Sequence, residues 1–146
     1  ALEANALELE SVAHRVNSIF TTNDLTYLYR GGRVSRTSAA FGTALNIVPI
    51  MHLDYEGHLE VWQKVRGDKQ CFKKVIKDVQ ELVIDAANQT LIVSEADAPE
   101  KAREYGEALI RECGFRDVFY THIGPIIGAH TGPGLISVFF VGKERV

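Results

Sequence analysis

The residues best suited to chemistry lie in one stretch, Ile123 to Gly134, which reads IGPIIGAHTGPG. Its twelve positions hold four glycines, two prolines, one histidine and one threonine. Glycine lets the main chain approach a ligand closely or take positive φ. Proline fixes φ and removes a donor. Such a stretch can present His130 and Thr131 on a bare, rigid backbone, with Gly128 and Gly132 keeping side chains out of the way. A neutral imidazole can donate to an anion, and a protonated one adds charge. The competing explanation is an ordinary tight connection with a buried histidine, and composition alone leaves the two about equal.

A second candidate runs from Gly31-Gly32 through Arg33 to Ser35 and Arg36. Glycines, hydroxyls and arginines together can form an anion-binding concavity. A helix C-cap followed by solvated arginines accounts for the same residues, and taken alone it is the stronger explanation. Arg66 lies in a KVRG run ahead of Lys69, Lys73, Lys74 and Lys77. These lysines read as a solvated face that can also dock an acidic partner. His52 and His58 flank a turn with no third metal ligand evident, so they read as exposed hairpin histidines and no metal is expected. Gly128 to Gly134 lacks the GK[ST] of a phosphate loop, and no nucleophile motif accompanies His130. No cofactor is expected.

These groups need elements to hold them. Apolar positions at Leu2, Ala6, Leu9, Ala13 and Val16 step by 4, 3, 4, 3 and predict a helix over residues 2–18. Thr21 to Asp24 is a helix start for LTYLYR, which Gly31-Gly32 stops. A short small-residue helix is expected over Thr37 to Leu45. Ile47–Leu53 and Leu59–Val65 form a hairpin around Asp54 to Gly57. Pro49 places the first of these strands at an edge or in a bulge. Phe72, Val75, Ile76, Val79, Leu82, Val83 and Ala86 define a long helix capped by Asp68. Leu91–Ser94 is a strand, Pro99 opens a helix that ends at Gly114, and Val118–Ile123 and Leu135–Val141 are strands. The order predicts an α/β domain of the α+β type, a mixed sheet of about five strands with helices mainly on one face.

The totals set bounds. The 146 residues fit one domain with a real core. A net charge of −3, from 16 basic and 19 acidic residues, is not the basic surplus of a duplex nucleic-acid binder. Cys71 and Cys113 form no CxxC and read as reduced thiols, which suits a cytoplasmic protein. No apolar run reaches the ~20 residues that span a bilayer, and ALEANALELE is no signal peptide.

Four segments in order resemble the carboxy-terminal half of the DegV family: YLYRGGRVSRTSAAFGTALNIVPI, EVWQKVRGDKQCFKKVI, EADAPEKAREY and IGPIIGAHTGPGLISVFF. The resemblance runs from about Asp24 to Phe140. It implies a bacterial, cytoplasmic fatty-acid-binding protein, the acyl-carrying partner of a separate fatty acid kinase. That kinase would phosphorylate the carboxylate with ATP and feed the acyl phosphate into phospholipid synthesis, so this chain is not expected to be an enzyme. It also implies that His130 lies near the carboxylate, and that Arg33 and Arg66 surround the acid or face the kinase. Family members carry an amino-terminal half of comparable size with hydroxyls that also hold the carboxylate. Residues 1–20 are therefore expected to be the end of a preceding region and 21–146 the lipid-binding domain, an excised carboxy-terminal piece. One wall of the tail site would come from Ala39, Ala40, Phe41, Ala44, Leu45, Ile126 and Ile127. A small-molecule enzyme using His130 with an arginine-bound anion, or a protein-interaction domain, are the alternatives.

Overall fold

The computed structural model describes residues 2–32 and 45–145. Strands β1 (Val16–Thr21), β2 (Ile47–Leu53), β3 (Leu59–Arg66), β4 (Thr90–Glu95), β5 (Asp117–His122) and β6 (Ile136–Val141) form one sheet. Its order is β3-β2-β1-β6-β4-β5. Among the described strands only the β4–β5 pair is parallel. The mixed α/β class is as expected, but the sheet has six strands rather than about five.

The extra strand is β1. Helix α1 (Leu2–Val12) stops well short of residue 18, and a single 3-10 turn over Ala13–Arg15 leads into the strand. Ser18, Ile19, Phe20 and Thr21 are all buried between β2 and β6. Burial on both faces favours β-branched and aromatic residues over the helical stripe that Ala13 and Val16 would continue. Of the two expectations for Pro49 the bulge is met and the edge fails, because β2 is an internal strand. Its pairing with β1 begins at Ile50↔Thr21, so the missing Pro49 N–H is not required on that side. A register shift follows at once, between Ile50 and Met51.

Alternation along the strands divides the core in two. On one face, Ile19, Ile50, Leu91, Val93, Ile136, Val138 and Phe140 pack under helices α3 (Asp68–Leu82) and α4 (Pro99–Cys113). On the other, Phe20 and Met51 form a smaller cluster with Leu25, Leu28 and Leu135. Leu25 and Leu28 belong to helix α2 (Leu25–Arg30), whose Asp24 cap accepts from Thr26 N at 2.8 Å. Helix α5 (Pro125–Thr131) rests against α2. Helices therefore sit mainly on one face, with two short ones on the second.

The strand directions gather the candidate groups at one end of the sheet. β1, β3, β4 and β5 all finish there, and β2 and β6 begin there. Ligand crevices in α/β sheets form outside the carboxyl ends of such strands. A polar clasp ties the helix starts to this end. Asn23 Nδ2 donates to Asp68 at 2.9 Å, and Lys101 Nζ stands 3.8 Å from the same carboxylate.

Candidate functional site

The stretch Ile123 to Gly134, expected as a loop, contains a seven-residue helix, α5. Pro125 occupies its first turn, where its absent N–H costs nothing. Gly132 ends it at φ 73°, a conformation that favours glycine. His130 stands exposed in the last turn. Thr131 is buried, and its hydroxyl donates back to the Ile127 carbonyl at 3.0 Å. Gly128 lies inside the helix with open space where a Cβ would be.

Two glycines fix how α2 and α5 meet. A Cβ on Gly132 would lie 2.3 Å from the Tyr27 ring, so that ring occupies the space the glycine leaves. A Cβ on Gly31 would lie 2.7 Å from His130 Nδ1. The imidazole thus rests on the C-cap of α2. Arg30 places its guanidinium 5.9 Å from the centre of the Tyr27 ring. The order Arg30, Tyr27, Gly132 is one continuous contact that sequence reasoning did not single out. Its signal was present in the i, i+3 spacing of Tyr27 and Arg30 on a helix that ends at glycine.

The six expected site residues are therefore divided. Gly128, His130, Thr131 and Gly132 share α5 and its cap. Arg66 ends β3, an edge strand, exposed at the same end of the sheet. Three strand spacings, roughly 14 Å, separate β3 from β6. Arg33 lies outside the described residues, as do Ser35, Arg36, Ala39, Ala40, Phe41 and Ala44.

The face that carries α2 and α5 is only partly covered. Phe139, Ile92 and Phe119 are register partners across β6, β4 and β5 and make one apolar row. Phe119 is 59% exposed and Ile92 39%. Ile126 and Ile127 on α5 point outward, 78% and 54% exposed, so neither is core. Ser18 and Ser137 lie on this same face, and both are buried. Neither hydroxyl has a hydrogen-bond partner among the described residues. Buried polar atoms are nearly always paired, and such exceptions mark places where another group belongs.

Beside α5 the end of β4 holds Glu95, buried, with His122 Nδ1 against Oε1 and the Ala98 N–H donating to Oε2 at 2.6 Å. His122 itself projects into solvent. At the hairpin tip Asp54, Glu56 and His58 each bring one ligand atom within 4.8 Å of the others, and His58 hydrogen-bonds Asp54 at 3.2 Å. His52, expected to be exposed, is instead half-buried and stacked on Trp62 at 5.1 Å. Burial there pushes its pKa down, against the pull of Glu60 and Asp54.

The model of the DegV family, described as an uncharacterised protein family, matches residues 1–143. A DegV domain-containing protein of Streptococcus pyogenes is 35% identical over 93% of this chain and 46% of its own length. The chain spans about half the length of the curated relatives it matches. Among solved structures, a fatty acid binding DegV family protein from Streptococcus agalactiae superposes with a TM-score of 0.78 at 26% identity, over 99% of this chain and 50% of that one. The Streptococcus pneumoniae Fatty Acid Kinase B3 protein, loaded with linoleic acid, shares the fold with a TM-score of 0.82 at 15% identity, over 98% and 50%.

Proposed function

This chain belongs to the DegV family, and from that premise we propose that it holds a long-chain fatty acid, its carboxylate beside His130 and its tail along the open face of the sheet. The observation that carries this reading is the state of that face. An apolar row of Phe139, Ile92 and Phe119 lies partly open beside two buried, unpartnered hydroxyls. A fatty acid needs that combination. Its tail gains about 0.8 kcal/mol per methylene buried, and its carboxylate must be paired or hydrogen-bonded when it leaves water. His130 supplies a donor or a cation at the helix end, and Thr131, Gly128 and Gly132 shape the backbone around it. Arg66 and Arg33 are the further cations, for the acid or for a partner.

On this reading the chain is a carboxy-terminal half, and a preceding half closes the open face and adds its own hydroxyls. The chain would supply position and charge without catalysis. A separate fatty acid kinase would phosphorylate the presented carboxylate with ATP, a reaction that depends mainly on positioning and electrostatics.

The test is organic extraction and mass spectrometry of the protein expressed together with its preceding half. Long-chain acids in molar ratio to protein are expected. His130→Ala should weaken retention of oleate about tenfold, the loss of one charge-assisted hydrogen bond. Gly31→Ala should do the same through displacement of the imidazole, with little change in stability. Absence of any acid, or unchanged retention in both variants, overturns the assignment.

A further inference from the structure

The geometry points to a second binding surface on the opposite face of the sheet: a groove along the α3–α4 seam that takes an acidic amphipathic helix of a partner protein. Two adjoining depressions of about 360 and 280 Å³ share Phe72 and Lys73. Their floor is apolar and fixed, because the Phe72 and Tyr105 rings meet edge-on at 4.8 Å. Lys69, Lys73 and Lys77 stand at i, i+4 and i+8 along one rim, so they form a row. Lys101 and Arg111 of α4 stand on the other.

Charge selects the occupant. Asp68 is matched by Lys101 at 3.8 Å and Glu112 by Arg111 at 2.9 Å, Lys77 pairs with Glu81 at 3.7 Å, and Glu104 is the remaining acid of the lining. Lys69 and Lys73 are exposed and have no ion pair among the described residues. The chain as a whole carries −3, so this rim is a local reversal of sign. The groove follows α3 from Asp68 to Gln80, roughly 18 Å or three helical turns. An apolar floor three turns long, with the unpaired Lys69 and Lys73 along its α3 rim, matches a helix with leucines on one side and glutamates on the flank that faces α3. A flat anionic bilayer would not reach the floor, since Tyr105 is buried. A small anion would leave that floor unused.

The probe is a fluorescein-labelled helical peptide of about five turns, with leucine at every third or fourth position and glutamate on the flanks. Its counterpart carries lysine for glutamate. Fluorescence anisotropy should give saturable binding of the acidic peptide, weakened at high salt, and none of the basic one. The double variant Lys69→Glu/Lys73→Glu should weaken binding roughly tenfold, and Lys69→Gln/Lys73→Gln should weaken it less. Lys143→Glu, outside the groove, should leave it unchanged. Circular dichroism verifies that each variant is folded. Equal affinity in the folded double variant, tight binding of the basic peptide, or no saturable binding of the acidic one overturns the proposal.

Discussion

The two faces of the sheet are built to different standards. Under α3 and α4, Val75, Val79, Leu91, Val93, Tyr105 and Leu109 are almost fully enclosed. Two buried polar groups there have partners. Asp78 takes Lys74 and Gln63, and the Thr21 hydroxyl donates to the Pro49 carbonyl at 2.9 Å. Across the sheet the helices are short, their contacts run through glycines, aromatic side chains stand open, and two serine hydroxyls have no partner among the described residues. Both faces share the same backbone ladder, so strand pairing does not make the difference. One face is packed for stability. The other is only partly covered by the described residues, which is the room the proposed fatty acid would use.

The sharpest way to break this contrast is to truncate one large side chain on each face. Leu109→Ala removes a fully enclosed side chain from α4, and a cost of about 3 kcal/mol is expected by urea denaturation. Phe119→Ala removes a bigger group but should cost less than ~0.5 kcal/mol in the ligand-free protein. Equal costs would mean that the second face is ordinary core. Next in size is Gly132→Ala. Its φ of 73° strains an alanine, and the added Cβ would collide with Tyr27 2.3 Å away. A loss of about 2 kcal/mol is expected, with α2 pushed off α5. Recovery of stability in Gly132→Ala/Tyr27→Ala would localise the cost to the ring contact and leave only the backbone strain.

The closed face was largely legible in the residue pattern. The stripe from Phe72 marks α3, although it was expected to reach Ala86 and the helix ends at Leu82, with Gly67 rather than Asp68 at its cap; the Pro99-to-Gly114 bounds describe α4 nearly to the residue. A 3.6-residue period over four turns is a strong signal. Gly114, at φ 77°, ends α4 as its position predicted. The open face was legible only in part. His130, Thr131 and their glycines stood out by composition, yet the helix they form was missed, although Pro125 at its start and Gly132 at its end are ordinary signals. Strand β1 was missed because Ala13 and Val16 prolong a helical step by chance, and six residues are too few for period alone to settle. The unpartnered hydroxyls of Ser18 and Ser137 carry no local signature at all. Their isolation follows from which strands become neighbours, a non-local outcome.

Those hydroxyls give the next test. In the ligand-free protein Ser137 loses hydration without gaining a bond, so Ser137→Ala should be neutral or stabilising by up to ~1 kcal/mol. A comparable change at Thr21, whose hydroxyl donates on the closed side, should destabilise by about 1 kcal/mol. Destabilisation of both by the same amount would show that Ser137 has a bonding role in the empty protein, and the contrast would fail at that point.

The smallest effect concerns pH and sits away from both faces, at the hairpin. Burial against Trp62 lowers the His52 pKa below 6.5, with Glu60 and Asp54 opposing the shift. A group with a depressed folded pKa binds its proton more readily in the unfolded chain. Its contribution to stability is therefore complete above pH 6.5 and is lost as pH falls through that value toward the folded pKa. Asp54 titrates lower still. Burial raises its carboxyl, but the His58 and Gly57 N–H groups and the His58 ring outweigh that and hold it below the ordinary carboxylate range. Its contribution is lost only at more acidic pH, so the two groups separate on the pH axis. Unfolding free energies measured from pH 5 to 8 should decline on the acid side, and His52→Gln should flatten that decline without moving oleate binding. A decline that persists unchanged in His52→Gln would remove burial of that imidazole against Trp62 as its cause.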